Sequence, residues 1–254
     1  MPDNVHMRPT AGRAVSRYAL TLAVCLPLSA QFLTHLAPET EDAFAQYTSM
    51  AEASMDWTPH YSPKPGEVVI ASAPKNGTVG VNDGLIHDWV AAAIAPNTTV
   101  EKVLAVLQDY NDYKKTYAPD VTESRLLARN GNMFEVYLRL MRKSPLTAIF
   151  DTEYAVEYRP VGNGRWIKIS HSTKVAEIDD EHERPVGTGN GYLWKLNAYW
   201  VIEQRPEGVN LECRSISLSR DIPAGLGWMI RPFVSGMPKG ALRNTLEATI
   251  RGLR

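Results

Sequence analysis

From Val121 to Asp221 apolar and polar residues alternate, with turn signals between the runs, and this period-two stretch constrains the fold more than any other feature of the chain. It opens with "VTESRLLARNGNMFEVYLRLMRK", which reads as a strand, a turn and a second strand. Asn and Gly at 130–132 tolerate the positive φ that a tight hairpin demands. In "TAIFDTEYAVEYRP", Ala148, Phe150, Thr152, Tyr154, Val156 and Tyr158 fall on one face, with Asp151, Glu153 and Glu157 opposite. "GNG" at 162–164 turns the chain into "RWIKISHSTKVAEI". A charged insertion, "DDEHERPVGTGNG", leads to "YLWKLNAYWVIEQ", and "RPEG" turns into "VNLECRSISLSRD". Six consecutive antiparallel strands are predicted.

The flanks are different. "GLIHDWVAAAIAP", from Gly84, predicts a strand closed by a proline. In the following "NTTVEKVLAVLQDYNDYKKTYAPD", Thr98 or Thr99 caps a helix and Val103, Leu104, Val106 and Leu107 form its apolar stripe. A second short helix is expected from Asp109 to Tyr117, stopped by Pro119. After the strands, Leu226, Met229, Ile230, Phe233 and Met237 recur at helical spacing within "RDIPAGLGWMIRPFVSGMPKGAL". Pro223 suits the first turn, whereas Pro232 and Pro238 each forfeit an intrahelical hydrogen bond, so a kink or break is expected. Leu226–Phe233 would then serve as a lid and Ala241–Leu253 as an anchor.

This order predicts an α+β fold: a curved antiparallel sheet of about seven strands, wrapped around a long kinked C-terminal helix, with two short helices after the first strand. One helix does not fill the concave side of such a sheet, so an apolar cavity is expected beside it. The span Gly84–Arg254 resembles the START-like, or SRPBCC, superfamily: the helix-grip fold of lipid-transfer domains, polyketide cyclases and the birch-pollen allergen. The resemblance is carried by "GLIHDWVAA", "VLAVLQDYNDY", "YAPDVTESRLL", "SHSTKVAEI", "GYLWKLNAYW" and "ECRSISLSRDIPAGLGWMIRPFVSGMP". More narrowly the chain is similar to a bacterial group in that superfamily, a likeness that implies the fold and carries no activity with it.

At the N-terminus, Arg8, Arg13 and Arg17 precede the uncharged segment Tyr18–Leu33, the layout of a secretory signal peptide. Cleavage is expected after Ala30 or Ala45, the latter in "AFAQ", making residues 1–45 the signal and 46–83 a Pro- and Gly-rich linker arm. The competing reading is an uncleaved anchor, although the run is shorter than the roughly 20 residues of a spanning helix and Pro27 interrupts it. "LAVC", ending at Cys25, is similar to a lipoprotein box but has bulky Val24 in place of a small residue. The expected location is secreted or periplasmic, with membrane anchoring as the alternative.

With 27 Lys+Arg against 28 Asp+Glu and no basic run, nothing points to nucleic acid. Cys25 and Cys213 are the only cysteines, which excludes a disulfide framework or thiolate metal site. No phosphate loop, Ser-His-Asp set or metal helix is present, so no catalytic residue, metal or cofactor is expected. His171 and His87 lie within predicted strands as candidate bases or simply as hydrogen-bonded residues. Asp151, Glu153 and Glu157 face Lys168 and Lys174 as solvent-side ion pairs, the alternative being that Asp151 and Arg139 turn inward to grip a head group. "DDEHER", Asp179–Arg184, reads as a cation loop or a solvated hairpin tip.

The aromatic residues are more informative. Tyr192, Trp194, Leu196, Ala198, Trp200 and Ile202 alternate on the penultimate strand. The expected cavity lining is Trp194, Trp200, Tyr154, His171, Trp228, Met229 and Phe233. The chain is read as a monomeric, exported, non-catalytic carrier or sensor of a lipid, isoprenoid or polyketide, with at most transient membrane contact. The alternatives are a cyclase, dehydratase or hydrolase using His171, Tyr199 or Arg139, and a partner-binding domain with a collapsed cavity.

Overall fold

The computed structural model describes residues 33–254, apart from 75, 144–146 and 222–226 and the side chains of 227–237. In chain order the elements are β1 (Thr34–His35), α1 (Pro38–Ala53), β2 (Val68–Ser72), β3 (Thr78–Val81), β4 (Gly84–Pro96) and α2 (Val100–Gln108). A single 3-10 turn (Tyr110–Asp112) leads into α3 (Tyr113–Thr116). Then come β5 (Val121–Asn130), β6 (Met133–Arg142), β7 (Ala148–Gly162), β8 (Arg165–Asp179), β9 (His182–Glu183), β10 (Thr188–Gly189), β11 (Lys195–Arg205), β12 (Gly208–Arg220) and α4 (Gly227–Arg251).

Local chemistry explains the hairpins. β7 and β8 pair at Gly162 and Arg165, leaving Asn163 and Gly164 as a two-residue loop with φ of 53° and 68°. Positive φ at both positions matches the right-handed twist of the flanking strands, and Asn-Gly adopts it most readily. Thr99 takes the N-cap of α2, and Val100, Val103, Leu104 and Leu107 are the buried face of that helix.

Ten of the twelve described strands form one antiparallel sheet ordered β2-β4-β12-β11-β8-β7-β6-β5, with β3 on β4 and β9 on β8, while β1 and β10 pair separately with each other. The seven long ones, β4 to β8 with β11 and β12, are those the alternation predicts. Residues 46–83, read from composition as a linker arm, supply the end of α1 together with β2 and β3. The architecture is α+β and helix-grip: α2, α3 and α4 lie on the inner face of the sheet, where Leu242, Leu246 and Ala248 of α4 join a core with Ala91, Ala93, Trp200 and Leu211.

The outer face is covered as well. Phe44 and Ala51 of α1 bury against Ile86, Ile167, Tyr199, Val201 and Ile216. Asp88 is wholly buried beneath this helix, paired with Arg214 through Nε (2.9 Å) and Nη2 (2.6 Å), and it accepts a hydrogen bond from the Tyr47 hydroxyl at 2.8 Å. Where α1 packs, over β4, β8, β11 and β12, the sheet is therefore dry on both faces.

The expected long, kinked C-terminal helix needs correction. α4 is one uninterrupted helix of 25 residues, with no break at Pro232 or Pro238, and only its shorter part from Pro238 onward has described side chains. Each proline removes a single backbone donor, while the surrounding turns keep theirs, so the helix continues through both. The expected lid, Leu226–Phe233, lies outside the described side chains. Among the described residues no helix is long and apolar enough to cross a membrane.

Candidate functional site

A cavity of about 420 Å3 lies between the inner face and α4. Its apolar walls come from Phe150, Tyr154 and Val156 of β7, Ala198 and Trp200 of β11, and Leu242 of α4. At its partly exposed rim, Asp120 accepts hydrogen bonds from Arg142 Nη1 (2.9 Å) and Asn244 Nδ2 (3.0 Å), tying α4 to the end of β6.

Polar groups enter the cavity in three rows that follow the strand register. The first runs Tyr158–Lys168–Trp200–Cys213, and the second Val156–Ser170–Ala198–Ser215. The third joins Leu196, Ser217 and His87. Burial pushes the Cys213 thiol up to about 12, so it stays protonated and unreactive. His87 is held down at about 4 by burial and is neutral. Its Nε2 lies 3.0 Å from the Ser219 hydroxyl, which donates to the Arg220 carbonyl; Nε2 must therefore carry the proton, and Nδ1 is left as a buried acceptor without a partner among the described residues.

Lys168 is the cation inside this space. It is 7% exposed, and its Nζ makes no hydrogen bond or ion pair with another described residue. Burial lowers it from 10.5 to about 8. The rings of Tyr110, Tyr113, Tyr158 and Trp200 surround it, with centroids 5.6–5.9 Å from Nζ. Those tyrosines present faces to the amine because their hydroxyls are engaged elsewhere. Tyr110 and Tyr158 share a bond of 2.9 Å, and Tyr158 and Tyr113 both donate to the Leu107 carbonyl.

The structure divides the residues expected to line the cavity. Tyr154 and Trp200 do line it. Trp194 does not: β11 begins at Lys195, so the alternation stops short of Trp194, whose ring joins the outer cluster with Phe44 and Ile86. His171 also faces outward, where its Nε2 and the Tyr199 hydroxyl both reach Glu52 Oε1, at 2.8 and 2.7 Å. Trp228, Met229 and Phe233 lie outside the described side chains. Arg139 grips Asp151 through Nε (2.7 Å) and Nη2 (2.9 Å) on the outer face, so it holds no head group inside. Of the residues considered for catalysis, His171, Tyr199 and Arg139 lie away from the cavity, while the candidate base His87 is on its lining.

In "DDEHER", Asp180 and Glu181 form the turn between β8 and β9, while Asp179 pairs with Arg184 and Glu183 with Lys174. This is a hairpin tip in which two of the four carboxylates, Asp179 and Glu183, are ion-paired.

Lys168 corrects the expectation of solvent-side pairing. Glu153 faces Lys174 but Tyr154 faces Ser172, so Thr173 is an extra residue in β8. This bulge turns Lys174 outward toward Glu153 and Glu183 while Lys168, of the same parity, points inward. The signal available in the sequence was "WIKIS": Ile167 and Ile169 form a dry face of their own, leaving Lys168 on the other.

No family model matches the sequence, and no curated protein matches it. Among solved structures, human STARD10 aligns with a TM-score of 0.51 at 15% identity, covering 86% of this chain and 80% of that one. The STAR-related lipid transfer protein of Xanthomonas axonopodis aligns at 0.49 and 18% identity over 70% of this chain and 99% of its own. The di-domain ARO/CYC StfQ from the steffimycin biosynthetic pathway aligns at 0.42 and 15% identity, over 66% of this chain and 48% of that one. The chain has a START-like fold.

Proposed function

We propose that the protein binds a hydrophobic small molecule of the lipid, isoprenoid or polyketide class between sheet and α4, as a carrier or sensor and not as a catalyst. The observation that carries this reading is the cavity itself: about 420 Å3, within the range of small-molecule sites, with aromatic and aliphatic walls. The arrangement of its polar groups supports binding over catalysis. Cys213 and His87 stand four residues apart along the paired strands β12 and β4, about 13 Å at the usual strand rise, so they form no dyad.

The basic and apolar N-terminal layout supports export. Helix α1 runs through Ala45, so processing after Ala30 would leave it whole and processing after Ala45 would cut it. The protein acts as a monomer and meets membranes only while exchanging ligand. The test is native mass spectrometry of the protein purified from an export-competent host, with extraction of the ligand. A co-purifying apolar molecule and a mature N-terminus at Gln31 are expected. A ligand-free protein that neither takes up nor releases lipid would refute the carrier reading, and scattering measurements check the oligomeric state.

A further inference from the structure

Deep in the cavity, Lys168, Ser170 and Ser215 can donate hydrogen bonds and have no partner among the described residues, as is also true of Ser217 in the third row. Lys168 lies in the innermost polar row, and Ser170 and Ser215 flank Ala198 in the next. Two residues of strand rise, about 7 Å, separate the rows, and Ser170 and Ser215 stand two strand spacings, about 10 Å, apart on either side of β11, so the long Lys168 side chain shares a region of the wall with one hydroxyl at a time. The acid on the lining, Asp120, is at the rim and already held by Arg142 and Asn244. Nothing described inside the cavity supplies the negative charge that a buried ammonium requires, and the tyrosine hydroxyls near it are committed to one another and to the Leu107 carbonyl.

We propose that the ligand is a hydrophobic carboxylic acid whose carboxylate sits on Lys168 with Ser170 or Ser215 as a second donor, and whose apolar body lies along Tyr154, Val156 and Leu242. An ionised carboxylate fits because it only accepts hydrogen bonds, and the ammonium together with one neighbouring hydroxyl supplies donors for both of its oxygens. An alcohol or ester would leave the cation buried and unpaired. The inference rests on the binding function proposed above and adds the chemistry of the head group.

The acid binds the ammonium form, so its affinity has a pH signature. Lys168 is held at about 8 in the free protein. The groups that face it titrate outside that region. His87 on β4 is held at about 4, Cys213 on β12 at about 12 and Tyr117 at about 12, while Tyr110, Tyr113 and Tyr158 are raised. Asp120, Arg142 and Arg251 stand toward the rim, and Trp200 on β11 does not ionise. Acid affinity is therefore level between about pH 5, where the ligand's own carboxyl titrates, and about pH 8, and falls up to tenfold per pH unit above that.

The experiment uses the whole delipidated protein and the neutral probe N-phenyl-1-naphthylamine, displaced by matched pairs: dodecanoic acid and its methyl ester, abietic acid and its methyl ester. In at least one pair the acid is expected to bind tenfold or more tightly than the ester at pH 7, with the advantage shrinking above pH 8. Lys168→Met and Lys168→Gln are each expected to abolish the advantage and still bind ester. If the probe binds but esters equal acids, or the variants keep the preference, the head-group inference is wrong while the cavity reading stands. If neither probe nor ligand binds, both fall.

Discussion

Replacing Lys168 by methionine is expected to make the ligand-free protein more stable, and by an amount that depends on pH. The two side chains are close in length, and the lost ammonium borders an existing cavity, so no new enclosed void appears. Holding the amine at about 8, against 10.5 for a free lysine, costs the folded state about 3 kcal/mol at neutral pH, at 1.36 kcal/mol per tenfold. The four ring faces around Nζ return part of this through cation–π attraction, which brings the expected gain to about 2–3 kcal/mol.

The sign follows from the depressed folded-state value. Below about pH 8 both states hold the proton and the whole penalty is present. Between 8 and 10.5 the folded protein sheds its proton while the unfolded chain keeps it, so wild type gains stability as pH rises. At pH 10 the advantage of the Met variant should have fallen to about 1 kcal/mol. Above pH 10 the buried tyrosines confuse the comparison, because residues such as Tyr154, held up at about 12, ionise first in the unfolded chain. Urea unfolding followed by circular dichroism at pH 7, 8, 9 and 10 measures the gap. A Met variant less stable than wild type at pH 7, or a gap that ignores pH, would show that Lys168 is solvated and not buried.

Filling the cavity should separate binding from folding: Ala198→Trp is expected to abolish uptake of a neutral fluorescent probe while leaving the circular dichroism spectrum unchanged. Beneath α1, Asp88→Ala strands Arg214 without its partner and is expected to cost about 3–5 kcal/mol by urea unfolding. Glu52→Ala removes the acceptor shared by His171 and Tyr199, and should raise amide exchange in α1 about tenfold without altering probe affinity. The Cys213 thiol, buried and held at about 12, should resist a thiol-reactive disulfide reagent at pH 8 until the protein is unfolded. Rapid labelling of the native protein would place it on an accessible wall.

The parts of the fold that were legible in the sequence are those decided by neighbours along the chain. The hairpins at Gly131 and at Asn163–Gly164, the Thr99 cap of α2 and the alternation of Phe150, Tyr154 and Val156 depend only on local backbone preference and on which residues recur every second position. Tyr154 and Trp200 are on the cavity lining for that reason. Trp194 lies in the outer cluster instead, because a strand boundary, which alternation does not mark, falls just after it.

Period two establishes that a strand has two different faces, but not which of them water touches. That depended on a distant segment: α1, folded from residues expected to belong to a leader and a linker, dries the outer face and binds His171, Tyr199 and Asp88 there through Glu52 and Tyr47. The extra residue at Thr173 then reverses the parity of β8, sending Lys174 out to its carboxylates and Lys168 in among the aromatic rings. The long strands, their turns and the helices after β4 were readable along the chain, because these arise from contacts a few residues apart. Helix α1 and the choice of which lysine is buried were not, since both depend on what packs across a face from elsewhere in the chain.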